Sequence, residues 1–178
     1  MSGEAQEQGD PLVRLARDAI EAYVRDQIVL EPVESLGSEP ERAGVFVSLH
    51  RGDGSLRGCI GTIRPTRDSI GEEIVGNAIS AATRDPRFYP LEADELDDLD
   101  ISVDVLGPPE AVGGLDDLDP KEYGLIVQTA DGRQALLLPD LEGVETPEQQ
   151  LSITCRKGGI DPSQDQYRLS RFRVERHH

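Results

Sequence analysis

Hydrophobic residues change their spacing several times along this chain of 178 residues, and each spacing predicts an element of secondary structure. Apolar residues recur every three or four positions over 12–24, which predicts a first helix that opens at Asp10-Pro11. The polar segment 1–9 before this helix is predicted to be mobile. Strict alternation of apolar and polar residues then predicts a hairpin with strands over 45–50 and 56–63.

The rest of the chain mixes helices and strands without a regular strand-helix repeat. Its predicted elements are a helix that begins with the capping-box pair Ser69 and Glu72 and ends near Asp85-Pro86, a strand over 101–106, a hairpin over 124–129 and 134–138, a helix from Thr146-Pro147 to Gly158-Gly159, and a last strand over 167–175. The predicted fold class is therefore α+β, with a largely antiparallel sheet and flanking helices. Residues 10–175 are predicted to form one domain, followed by a C-terminal tail at 176–178.

The chain is strongly acidic. There are 35 acidic and 18 basic residues, which gives a formal net charge of −17. Clear apolar periodicities run through the acidic regions, and they argue against disorder. Dense like charge is tolerable where molar salt shortens the electrostatic screening length to about 3 Å. We therefore predict a halophilic, archaeal source; an ordinary acidic protein from a mesophile is the alternative.

Charge and composition also exclude several classes of function. Nucleic acid binding requires a basic face that releases counterions, and this sequence supplies none. No apolar run approaches the ~18 residues of a membrane-spanning helix, and the polar start does not resemble a signal peptide, so a cytoplasmic location is predicted. The two cysteines, Cys59 and Cys155, are too far apart in sequence for a metal-binding pattern, and no cofactor signature is evident.

The segment Leu56–Gly61 is the clearest candidate for chemistry. If the predicted strand alternates regularly, the side chains of Arg57 and Cys59 project to one side about 7 Å apart. A neighbouring cation favours the thiolate, which is the form of cysteine that attacks or coordinates. Gly58 and Gly61 indicate a bulge or a close approach to the backbone, because glycine is unfavourable inside a strand. Cys59 is thus a candidate catalytic residue assisted by Arg57, and a small buried core residue is the alternative.

Three other residues are weaker candidates. His50 lies on the strand paired with that of Cys59, as a base or as an ordinary half-exposed histidine. Arg87 follows Asp85-Pro86, where it either lines an anion-binding pocket or pairs locally with Asp85. Lys157 precedes two glycines, where it either binds an anion or complements the end of its helix.

Three patterns are predicted to be structural. Arg51-Gly52-Asp53 is a hairpin turn and not an adhesion motif. The acidic residues between Glu92 and Asp100 lack the spacing of a calcium loop and form a solvated face. His177 and His178 receive no role.

Six segments of the chain, taken in order, resemble one known family. They are Leu56-Arg57-Gly58-Cys59-Ile60-Gly61, Asp85-Pro86-Arg87-Phe88, Pro108-Pro109-Glu110, Gly124-Leu125-Ile126-Val127, Leu136-Leu137-Leu138-Pro139 and Arg156-Lys157-Gly158-Gly159. This is the AmmeMemoRadiSam system protein A family, which shares the AMME chromosomal region candidate domain. The chain departs from the family at Tyr123, where relatives often have histidine, and lacks the tryptophan that often follows the Leu-Leu-Leu-Pro segment.

The resemblance implies two unequal lobes with a cleft that the Cys59 motif partly lines. It also implies kinship with a Memo-like protein and a radical S-adenosylmethionine protein as candidate partners. Our first hypothesis is a thiol-dependent enzyme, or enzyme component, in which Cys59 is a nucleophile or thiol ligand and Arg57 stabilises the thiolate or an anionic substrate. Lys157 or Arg87 would help to bind that anion. The alternative is a non-catalytic binding module that presents the cleft to one of those partners.

Overall fold

The computed structural model describes residues 9–32, 36 and 39–178. The chain divides into two compact units, the first comprising Met1–Val105 with Arg176–His178 and the second Leu106–Glu175. The segment 1–9 that was predicted to be mobile lies outside the described residues, apart from Gly9. Within the described part of the chain, no helix combines the length and the apolar character needed to cross a membrane.

Helices and antiparallel strands follow one another in a mixed order. The helices are α1 (Pro11–Asp26), α2 (Ile70–Thr83) and α3 (Pro147–Lys157), and the strands are β1 (Val45–Arg51), β2 (Leu56–Gly61), β3 (Leu99–Leu106), β4 (Glu110–Val112), β5 (Gly124–Thr129), β6 (Gln134–Leu137), β7 (Tyr167–Phe172) and β8 (Val174–His177). One sheet has the order β2-β1-β3-β8 and the other β4-β7-β5-β6. The predicted α+β class, with antiparallel sheets and flanking helices, is confirmed.

The first unit is built around the alternating pattern of β1. Val45, Val47 and Leu49 are fully buried, and α2 packs against both β1 and β2. Helix α2 begins where the sequence predicts, because the Ser69 hydroxyl accepts a hydrogen bond from the Glu72 N–H at 3.2 Å. Ten of its fourteen residues are buried, so its end is held firmly against the sheet.

The second unit packs α3 against the sheet that contains β5. Its core includes Leu125, Val127 and Cys155. Helix α3 begins at the predicted position with a capping box, in which Thr146 and Gln149 each accept a backbone hydrogen bond from the other. The hairpin of β5 and β6 is also confirmed.

The structure differs from the sequence prediction at the C-terminal end. One strand was predicted over 167–175, but the chain forms β7 in one sheet and β8 in the other. The ladder of β7 with β5 ends at Phe172, and Arg176 and His177 continue in β8. No proline or glycine marks this change, so side-chain periodicity alone does not reveal where a strand leaves its sheet.

Candidate functional site

Strand β2 contains a β-bulge at Arg57. The ladder between β1 and β2 has the pairs Ser48–Cys59, Leu49–Gly58 and His50–Leu56, which leaves Arg57 as the extra residue. Strand β2 therefore does not alternate regularly through Arg57, and the placement of the Arg57 and Cys59 side chains on one side stays a prediction. Arg57 as a whole residue is 4% exposed, whereas Cys59 is only half-buried.

The glycines of the motif make room for neighbouring parts of the fold. A Cβ atom on Gly58 would lie 2.2 Å from the carbonyl oxygen of Ala81 in α2. A Cβ atom on Gly61 would lie 2.2 Å from the ring of Phe46, its partner across the ladder. The predicted close approach is confirmed, and it brings the end of α2 directly against β2.

Asp85 follows α2 and connects two parts of the site. It is 4% exposed, and its Oδ2 accepts a hydrogen bond from the Cys59 backbone N–H at 3.0 Å. The same carboxylate accepts three hydrogen bonds from Arg87, from the backbone N–H at 3.1 Å, from Nε at 3.0 Å and from Nη2 at 2.8 Å. These bonds, led by that of the Arg87 side chain, lower the pKa of Asp85 to about 2 against the opposing effect of burial.

Arg87 is fixed by Asp85 but remains open to solvent. Its side chain is 55% exposed, and Nη2 also donates to the carbonyl oxygen of Cys59 at 3.4 Å. The hydrogen bond to Asp85 raises the pKa of Arg87, with smaller contributions from the charges of Asp85 and Cys59. The local pairing of Arg87 with Asp85 is thus confirmed, and it places the guanidinium beside the Cys59 segment.

The thiol of Cys59 faces a hydroxyl group. Its Sγ lies 3.3 Å from Ser48 Oγ, within hydrogen-bonding distance for sulfur. His50 is paired with Leu56, so Ser48, and not His50, lies opposite Cys59. The second cysteine offers a contrast, because Cys155 is 1% exposed and burial raises its pKa.

Arg57 binds a different carboxylate. Its Nε donates to Glu95 Oε1 at 2.9 Å, and its Nη2 donates to Glu95 Oε2 at 3.2 Å and to the Tyr89 carbonyl oxygen at 2.9 Å. The hydrogen bond from Arg57 is the largest cause of the lowered pKa of Glu95. Both guanidinium groups approach the ring of Phe88, with the Cζ of Arg57 5.8 Å and that of Arg87 5.5 Å from its centroid.

The acidic stretch 92–100 is more structured than the sequence suggests. Glu92, Asp94, Asp97, Asp98 and Asp100 are exposed, as a solvated face requires. Glu95, however, binds Arg57 and also accepts the Glu92 backbone N–H at 2.8 Å, which closes a capping box on a 3-10 helix over Ala93–Asp98. Because Asp85 and Glu95 are each occupied by an arginine, neither is available to a metal ion without the loss of an ion pair.

Of the four residues predicted for the site, three lie in the first unit and one in the second. Arg57, Cys59 and Arg87 belong to the first unit, and Lys157 to the second. The Lys157 Nζ donates to the carbonyl oxygen of Leu136 at 2.8 Å. Its role in binding an anion stays a prediction. Tyr123, also in the second unit, contacts the guanidinium groups of Arg171 and Arg173, whose Cζ atoms lie 4.2 Å and 4.5 Å from its ring centroid.

Sequence reasoning missed three contributors to the site: Ser48, Asp85 as the partner of Cys59, and Glu95. A signal for Asp85 exists in the sequence, because an acidic residue before proline at a helix end is well placed to accept backbone N–H groups. The other two depend on strand register and on a long-range ion pair.

Comparisons with known proteins confirm the predicted family. The AMMECR1 family model matches residues 13–177, and the chain belongs to that family. A protein of Thermotoga maritima is 53% identical over 94% of this chain and 97% of its own length, and one of Thermococcus kodakarensis is 42% identical over 88% of this chain and 81% of its own. A protein of Clostridium acetobutylicum is 47% identical over 97% of this chain, which spans only 36% of that longer protein. The crystal structure of an uncharacterised protein from Pyrococcus horikoshii matches 94% of this chain and 89% of its own at 36% identity, with a TM-score of 0.85.

Proposed function

We propose that this protein is a thiol-dependent enzyme, or the thiol-bearing component of one, with Cys59 as its nucleophile. One observation carries the proposal: a half-buried thiol lies on a strand segment that a buried carboxylate, Asp85, joins to the guanidinium of Arg87. A nearby cation stabilises a thiolate, and a thiolate is the reactive form of cysteine.

Each neighbour of Cys59 then has a distinct part. Asp85 is a positioning residue, because it holds both the Cys59 backbone N–H and the Arg87 side chain. Arg87 stabilises negative charge on the thiol or on the substrate. Ser48 shares a hydrogen bond with the sulfur and holds it in one orientation.

Alkylation of the native protein tests the proposal. Iodoacetamide labelling followed by peptide mass spectrometry gives separate rates for Cys59 and Cys155. We expect Cys59 to react in the folded protein and Cys155, which is buried, to react only after unfolding. If Cys59 stays unlabelled until the protein unfolds, the result contradicts the proposal that Cys59 is a nucleophile.

A second candidate function is a non-catalytic binding module. Such a module binds a Memo-like or radical S-adenosylmethionine protein and catalyses no reaction itself. It is favoured by the Clostridium acetobutylicum relative, in which the matched region is a minor part of a longer chain. Under this alternative, Cys59→Ser leaves both partner capture and pathway output unchanged. If Cys59→Ser still captures the partner but the pathway output is lost, the result supports the enzyme proposal.

A further inference from the structure

A cavity of about 410 Å³ adjoins the Cys59 segment within the first unit. Its lining consists of three arginines, two glutamates and a short run of aromatic and proline residues: Arg51, Arg57, Arg87, Phe88, Tyr89, Pro90, Glu92 and Glu95. A volume of this size suits a small molecule. Three arginines around one cavity are a notable concentration in a chain with only 18 basic residues and a net charge of −17.

Arg57 is the buried polar group of this cavity. Two of its three guanidinium nitrogens are bound by Glu95 and by the Tyr89 carbonyl oxygen. The third, Nη1, is buried and has no hydrogen-bond partner among the described residues. Buried N–H groups are nearly always paired, so an unpaired donor on a charged side chain favours an arriving acceptor.

Of the three arginines that line the cavity, two are fixed by ion pairs and one is not. Glu95 pairs with Arg57 and Asp85 with Arg87, which holds those two guanidinium groups in place and partly offsets their charge, whereas Arg51 forms no ion pair in the described part of the chain. Arg51 donates to two neutral oxygens, those of the Ser55 hydroxyl and the Leu56 carbonyl, both at 3.4 Å. Glu92 is exposed, where water screens its charge.

Aromatic groups add an apolar wall. The ring of Phe88 lies close to the guanidinium groups of Arg57 and Arg87. Tyr89 is 89% exposed although it lines the cavity, which is unusual for a large side chain. A ring this exposed has free area with which to cover a bound molecule.

We propose that this cavity binds a small oxyanion, a carboxylate or a phosphate, through Arg57, Arg51 and Arg87, with Phe88 and Tyr89 packed against the body of the ligand. The inference rests on the proposed function only in taking this ligand as the substrate class of Cys59. Binding itself requires no thiol.

Ligand-observed NMR titrations with benzoate and with inorganic phosphate, at fixed ionic strength, test the proposal. We expect saturable binding of at least one probe, weakened about tenfold or more by Arg51→Gln and by Arg57→Lys, since each change removes a charge-assisted contact or its planar geometry. Arg25→Gln is the matched control, because Arg25 is an exposed residue of α1 that does not line the cavity. Tyr89→Ala should weaken benzoate and leave phosphate unchanged.

The outcomes separate the two ligand sources and the two proposals. Binding of benzoate alone assigns the cavity to carboxylates, and binding of phosphate alone assigns it to phosphates. If Arg57→Lys does not fold, the binding measurements on Arg51→Gln and Tyr89→Ala still test whether the cavity binds the probes. Absence of saturable binding by either probe, or equal weakening by Arg25→Gln, overturns the inference. Iodoacetamide labelling of Cys59 on the same samples shows independently whether the thiol proposal stands.

Discussion

The Asp85 carboxylate accepts the backbone N–H of Cys59 at 3.0 Å across 26 positions of sequence. This hydrogen bond links the segment that follows α2 to β2, in addition to the close packing of Gly58 against Ala81. Because the same carboxylate binds Arg87 at 2.8 Å, the position of the arginine relative to the thiol segment depends on Asp85.

Asp85→Asn should destabilise the fold and remove part of its acid sensitivity. The pKa of Asp85 is lowered from 3.8 to about 2, so the group stabilises the folded state above pH 4 and loses that contribution as the pH falls from about 4 to about 2. The shift corresponds to about 2 kcal/mol, since one pKa unit is ~1.4 kcal/mol.

Urea unfolding of the wild type and of Asp85→Asn between pH 2 and pH 7 measures this difference. The two free energies of unfolding should differ most at neutral pH and converge near pH 2. Asp94→Asn, which changes an exposed residue of the acidic face, is the control. A constant difference across the whole pH range would contradict the account.

Gly58→Ala should destabilise the first unit. The new Cβ atom would lie 2.2 Å from the Ala81 carbonyl oxygen, so the backbone of α2 or β2 must move. We expect a loss of about 2 to 3 kcal/mol, and a fall in Tm of about 5 to 10 °C for a chain of this size. Thermal unfolding followed by circular dichroism measures the effect.

Gly114→Ala is the matched control for this change. Gly114 has an extended backbone, with φ 174°, and open space where its Cβ would stand. Its Tm should stay within about 2 °C of the wild type. Equal effects of the two substitutions would show that contact with Ala81 does not set the requirement for glycine.

Stability should rise with salt. At a net charge of −17, repulsion within the folded state is screened over about 10 Å at 0.1 M salt and about 3 Å at 1 M. We expect the free energy of unfolding to be larger in about 2 M than in about 0.1 M KCl, because the higher salt screens this repulsion more strongly. Equal stability in the two solutions would argue for the ordinary acidic protein.

The helices and strands that carry this site can be predicted from the sequence, whereas their register and the polar contacts between them cannot. Alternation located β1, β2 and β3, and the cap at Ser69 located α2, because these signals are local. The bulge at Arg57 arises from the pairing of β2 with β1 and has no local signature beyond the glycine beside it.

Long-range polar contacts explain most of what the sequence did not predict. Glu95 appears as one of several similar acidic residues, and only the folded chain distinguishes it by the ion pair with Arg57, 38 positions away. Likewise, the sequence favours Arg57 as the cation beside the thiol, because Arg57 is two residues from Cys59. In the structure its guanidinium binds Glu95, while Arg87 is linked to Cys59 through Asp85.

The action of Arg87 on Cys59 is the central claim, and the charge selectivity of alkylation tests it most directly. Iodoacetate and iodoacetamide differ mainly in charge, so the ratio of their rates at Cys59, divided by the ratio for a free thiol such as glutathione, measures the local positive potential. We predict a normalised ratio above one for the wild type at pH 7, falling about threefold or more in Arg87→Gln, since loss of one nearby charge is worth ~1 kcal/mol. An unchanged ratio in Arg87→Gln would contradict the account.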